Sequence, residues 1–106
     1  MLVDKLQVIE DKFLDLEQRI SDPDVIARQE EWRKLTRQHA SLTDTVNTFR
    51  QYKQVLAGIE EALEVLGDKS LDEDFRAMAQ EELNELKIRR DELEAELHIL
   101  LLPKDP

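Results

Sequence analysis

His39 and His98 are the only imidazoles in this 106-residue chain, and it has no cysteine. A general base, a nucleophilic dyad or a metal site would therefore have to rest on very few side chains. Neither histidine has a second histidine at the i+4 spacing of a helical zinc site. His39 falls among apolar residues, where a partly enclosed core histidine is the simpler reading. The acidic clusters Glu81-Glu82-Glu85 and Asp91-Glu92-Glu94-Glu96 contain enough carboxylates for acid–base work. At helical spacing they read instead as a solvated face supported by pairs such as Glu85–Arg89. Gly58 and Gly67 are the only glycines, so no loop can cradle a phosphate. Trp32, Phe49 and Tyr52 could stack on bases, but all three lie on the apolar stripe described below and read as core. No catalytic residue, metal ligand or cofactor is expected, and the chain does not read as an enzyme.

Charge is the remaining source of function. The formal net charge is −10, which repels phosphate as a whole and argues against a dedicated nucleic-acid module. The distribution is uneven. Residues 26–58 carry six basic side chains (Arg28, Arg33, Lys34, Arg37, Arg50, Lys53) against three acidic ones (Glu30, Glu31, Asp44). Residues 59–97 carry five against fourteen. Arg28, Arg33, Lys34 and Arg37 can be an ordinary exposed face partly neutralised by a Glu30–Lys34 pair, or a docking tip for phosphate or an acidic protein surface.

The elements that hold these residues follow from apolar spacing. Leu2, Leu6, Ile9, Phe13, Leu16 and Ile20 recur at intervals of 4, 3, 4, 3 and 4, a heptad stripe that no strand would show. It stops at Ser21-Asp22-Pro23-Asp24, where Asp22 suits an N-cap and Pro23 the first helical position. The second stripe is Trp32, Leu35, His39, Leu42, Val46, Phe49, Tyr52, Leu56, Ile59, Leu63 and Leu66. It slips by one residue at Tyr52, as the drift of a straight helix of about 20° per heptad requires. Whether this helix runs straight on from Pro23 or bends near Ala27–Gln29 stays open. Gly67 is placed for a left-handed C′ residue, and Ser70 with Glu73 for a capping box, Asp72 competing as N-cap. The third stripe is Phe75, Ala79, Leu83, Leu86, Arg90, Leu93, Leu97 and Leu100, widened by Met78 and Leu101.

Three helices at about 2–20, 26–66 and 71–101 make residues 1–102 an all-α domain, an elongated antiparallel three-helix coiled-coil-like bundle with one long central helix. Residues 103–106, with two prolines in four positions, should start an extended linker to downstream domains. The longest apolar run, Ile99–Leu102, is far short of the roughly 20 residues that span a bilayer, and the start lacks a secretory pattern. A cytoplasmic chain is expected.

Three stretches, Ile20-Ser21-Asp22-Pro23-Asp24-Val25, Arg76-Ala77-Met78-Ala79-Gln80-Glu81-Glu82-Leu83 and Leu100-Leu101-Leu102-Pro103-Lys104-Asp105-Pro106, resemble the N-terminal domain of bacterial class I peptide chain release factors. The ending is closest to the type that reads UAA and UAG. The resemblance implies a factor that enters the ribosome at a stop codon and releases the nascent peptide. The family decodes with a Pro-x-Thr tripeptide and hydrolyses peptidyl-tRNA with Gly-Gly-Gln; this sequence holds neither, so those roles have no residue to fall on. The resemblance further implies docking at the base of the large-subunit stalk, on rRNA and protein, and interplay with the GTPase release factor. Arg28, Arg33, Lys34 and Arg37 are then the expected ribosome contacts, and the isolated chain is expected to be a monomer. A homo-oligomeric coiled-coil scaffold or adaptor is the alternative, and a helical tRNA-binding arm ranks behind it.

Overall fold

The computed structural model describes residues 1–103, so Lys104–Pro106, most of the expected linker, lie outside the described residues. The chain is all-α. It consists of α1 (Leu2–Ile20), α2 (Pro23–Ile26), α3 (Gln29–Gly67) and α4 (Glu73–Leu100), with no strand among the described residues. It divides into two compact units, Met1–Asn47 and Thr48–Pro106. The 39-residue α3 contributes its first part to one and its second part to the other.

In the first unit α1 and α3 run antiparallel. The indole N–H of Trp32 donates to the Ile20 carbonyl (3.1 Å), while His39, two turns further along α3, stacks on Phe13 with ring centroids 4.1 Å apart. Leu16, Val25 and Leu35 form the buried cluster between them, joined by Ile20, Trp32 and Leu42. This cluster explains why four helices appear where the spacing predicts three. In a straight helix Val25 and Leu35 would stand about 15 Å apart along the axis. Closing α2 after one turn brings both onto Leu16. Asp22 caps α2 by accepting the Asp24 N–H (2.9 Å), and Pro23 takes the first position, where no N–H is needed. The chain then restarts, the Arg28 carbonyl accepting the Trp32 N–H (2.9 Å). Glu10 is buried on the same side of α1 as Leu6 and Phe13, a charged position that the apolar stripe does not anticipate; it accepts a hydrogen bond from Gln7 (3.1 Å).

In the second unit α3 and α4 are also antiparallel: Leu66 meets Arg76, Gly58 meets Leu86, and Tyr52 meets Glu94. Ile59, Ala62 and Leu83 are the buried cluster, with Val55, Leu66 and Leu86 against it. The buried face of α3 slips once more here, to Ala62, and leaves Leu63 half exposed. The Leu86 side chain packs onto Gly58, where a Cβ would stand 3.1 Å from Leu86 Cδ1, and Ala62 and Ala79 are buried. Phe75 and Met78 lie exposed, against the expectation that they belong to the core.

The connection between α3 and α4 also departs from the sequence reading. Gly67 is the last residue of α3 and has no positive φ, so it is not a left-handed cap. The end of α3 is closed from the other helix instead, by the Arg76 guanidinium donating from Nη2 to the Leu66 carbonyl (3.2 Å). Ser70 does not cap α4. Its N–H and hydroxyl both donate to Asp68, which holds that carboxyl below its usual range, and Asp72 occupies the N-cap position without a side-chain bond.

Tyr52, the only tyrosine, donates its buried hydroxyl to Glu94 Oε1 at 2.7 Å. Burial raises its pKa to about 12, and the bond and negative charge of Glu94 add to the shift. In the unfolded chain the phenol ionises near 10. The native state therefore binds more protons than the unfolded state between the two values, and stability falls as pH rises through that window. The expected loss is at most about 3 kcal/mol and vanishes in Tyr52→Phe. Denaturant unfolding across pH 9–12, read beside tyrosinate absorbance of the native protein, checks both, the pH range being about that bracketed by the two ionisations.

Candidate functional site

Asp22, Pro23 and Trp32 together position the basic segment. The first two start α2 where they do, and Trp32 fixes the first turn of α3 to the end of α1. Arg33, Lys34 and Arg37 then project from one side of α3 because positions i, i+1 and i+4 share a face. Leu35 between them points into the cluster of Leu16 and Val25. The structure brings Arg33, Lys34 and Arg37 together around a shallow open depression that Glu30 and Glu31 also line. All three cations are exposed.

Arg28, the fourth expected contact, behaves differently. It sits in the break between α2 and α3, pairs with Glu31 (Nη1 to Oε2, 3.2 Å) and donates from Nε to the Asp24 carbonyl (3.3 Å). It does not line the depression. The expected Glu30–Lys34 pair is not formed. Among the described residues, neither Arg33 nor Lys34 has an ion-pair partner, and Arg37 is held only by donation from Nε to the Arg33 carbonyl (3.4 Å). The result is a small field of uncommitted positive charge on the rigid end of a long helix, with Glu31 neutralised by Arg28. Such a field can attract phosphate oxygens or carboxylates.

Elsewhere His39 and the aromatic side chains singled out for chemistry are committed to structure. His39 is half buried between Phe13 and Glu17, whose Oε1 lies 3.3 Å from Nε2. Phe49 and Tyr52 are buried, and Trp32 is half buried against the Leu16 cluster, so none offers a free face for stacking. His98 is exposed in the last turn of α4. Arg89 pairs with Glu92 and donates to Gln51 (3.0 Å), not to Glu85 as its spacing predicts. Among the described residues no three His, Asp or Glu side chains gather as a metal site would require, and no helix is long and apolar enough to cross a membrane.

Residues 9–106 match the family described as the PCRF domain. The chain belongs to the PCRF domain family. Its similarity to individual proteins runs over 99% of its length: 51% identity to "Peptide chain release factor 1" of Caldicellulosiruptor saccharolyticus and 46% to the protein of the same name from Alkaliphilus oremlandii. The protein of that name from Clostridium botulinum is 49% identical over the same stretch. This PCRF domain spans 29% of the length of each of these relatives. No solved structure matches it. Both the Asp22-Pro23 turn and the Arg76 closure of α3 lie within the matched span.

Proposed function

We propose that this chain is the ribosome-docking N-terminal domain of a translation termination factor, one that when complete directs release of the nascent peptide at UAA and UAG. The single observation that carries the reading is the 51% identity, over almost the whole chain, to a protein named peptide chain release factor 1. The geometry supports the docking part. Arg33, Lys34 and Arg37 stand exposed on one side of α3, and a cation without an internal partner loses little when it is given an external one. In this reading they seat the domain against rRNA and protein at the base of the large-subunit stalk. Arg28 contributes by neutralising Glu31 through their ion pair. The GTPase release factor is a second partner, the compartment is the cytoplasm, and the isolated chain is a monomer without hydrolytic activity. No two glycines are adjacent in it, so a Gly-Gly-Gln loop is not within this span.

The test is the double reversal Arg33→Glu with Lys34→Glu in the intact factor, followed by ribosome binding across a salt series. Two lost phosphate contacts should make the slope of log affinity against log salt shallower by about two, and weaken binding at low salt by about tenfold or more. Both substitutions are exposed and leave the Leu35 packing in place. Affinity and slope equal to the parent factor would remove these residues from the interface.

A further inference from the structure

The second unit carries an interaction surface that the docking reading does not use. Gly58, Glu61, Ala62 and Val65 of α3 face Phe75, Met78, Ala79, Glu82 and Glu85 of α4 across an open groove. Both rows follow the i, i+3, i+4, i+7 spacing of a single helix face. Gly58, Ala62 and Ala79 in the groove's lining carry little or no side chain to fill it. Phe75 and Met78 stand at its edge with 51% and 68% of their surface in water. Exposed bulky apolar side chains grouped with charged neighbours mark a contact surface more often than scattered single ones do. Methionine and phenylalanine together also form an adaptable apolar edge.

The charge around the groove selects the occupant. Glu61, Glu81, Glu82 and Glu85 all line it, and no basic side chain does. Such a rim repels nucleic acid and anionic lipid and attracts lysine and arginine. The α4 side runs from residue 75 to 85, about 15 Å, which matches two to three turns of a helix. We infer that this groove receives a basic amphipathic helix of a partner protein, its large apolar side chains against Phe75 and Met78 and its lysines or arginines against the glutamates.

The probe is a synthetic helical peptide of lysine, leucine and alanine with leucines on one stripe, titrated against the chain and followed by amide chemical shifts. A peptide with glutamate in place of lysine and a single-stranded RNA oligonucleotide serve as the contrasting ligands. The shifts should cluster on residues 58–65 and 75–85, the groove's own residues. Affinity should fall by about tenfold or more in Phe75→Ser with Met78→Ser, and its salt dependence should flatten in Glu61→Gln with Glu82→Gln and Glu85→Gln. All of these positions are exposed, and circular dichroism checks that each variant keeps its helix content. Absence of binding, binding unmoved by the serine variant, equal binding of the acidic peptide, or preference for the RNA would each overturn the inference. So would concentration-dependent sedimentation that the serine variant abolishes, since a second copy would then be the occupant.

Discussion

Phe49→Ala is expected to cost about 3–5 kcal/mol of folding stability, the range for removing an aromatic ring from a packed interior. Phe49 has no solvent-exposed surface and is among the largest fully enclosed side chains of the protein. Its ring also carries the Lys53 ammonium 4.6 Å from its centroid, so alanine removes a cation–π contact along with the apolar area. Domains of this size have about 5–15 kcal/mol in hand, so the substitution should remove about a fifth of the total or more. Phe49→Leu, which keeps most of the volume, should cost less than about 1.5 kcal/mol. Urea unfolding followed by helical circular dichroism separates the two. A loss near zero for the alanine variant would mean that the ring is not enclosed as described.

The location of such an interior residue could be read from the sequence because helix periodicity is a strong constraint on large apolar side chains. Leu6, Phe13, Leu16, Val46, Phe49, Leu93 and Leu97 all lie on the stripes and are all buried. Asp22 and Pro23 were equally readable, since capping and the missing proline N–H act within a single turn. What the stripes conceal is the contribution of small residues. Gly58, Ala62 and Ala79 carry little hydrophobic weight, yet Leu86 packs onto Gly58 and both alanines are buried, while Leu63, Phe75 and Met78 are left exposed. The groove in the second unit was invisible for the same reason.

Charge partners were the other illegible part. Spacing offered Glu30 to Lys34 and Glu85 to Arg89, whereas the structure pairs Glu31 with Arg28 and Glu92 with Arg89. Exposed pairs at i+3 and i+4 differ by only a few tenths of a kcal/mol, about the size of the side-chain entropy terms that oppose them. Sequence therefore located the positive field of Arg33, Lys34 and Arg37 but not which cation within it was already engaged. Gly67 is not a left-handed cap because a contact from outside the turn, the Arg76 guanidinium on Leu66, closes α3, and Ser70 does not cap α4 because its N–H and hydroxyl are taken by Asp68.

Trp32→Ala should have the second largest effect, and it separates positioning of the candidate site from contact with a partner. Trp32 is half buried against Leu16, Val25 and Leu35, and its indole N–H satisfies a carbonyl at the end of α1 that the helix itself leaves open. Alanine removes the ring and the bond, at an expected cost of about 3 kcal/mol; phenylalanine removes mainly the bond, at about 1 kcal/mol. The energetic loss falls on the turn that aims Arg33, Lys34 and Arg37, so amide hydrogen exchange should quicken most in residues 20–37, from the first bonded partner to the end of the basic group. Ribosome binding of the intact factor should weaken in Trp32→Ala while its salt slope stays near that of the parent, because every cation is still present. The Arg33→Glu, Lys34→Glu variant should behave in the opposite way, with folding stability close to the parent and a shallower slope. If both variants lost the same slope, the indole would belong to the contact surface itself, and the division between scaffold and charge drawn from the buried face of α3 would be wrong.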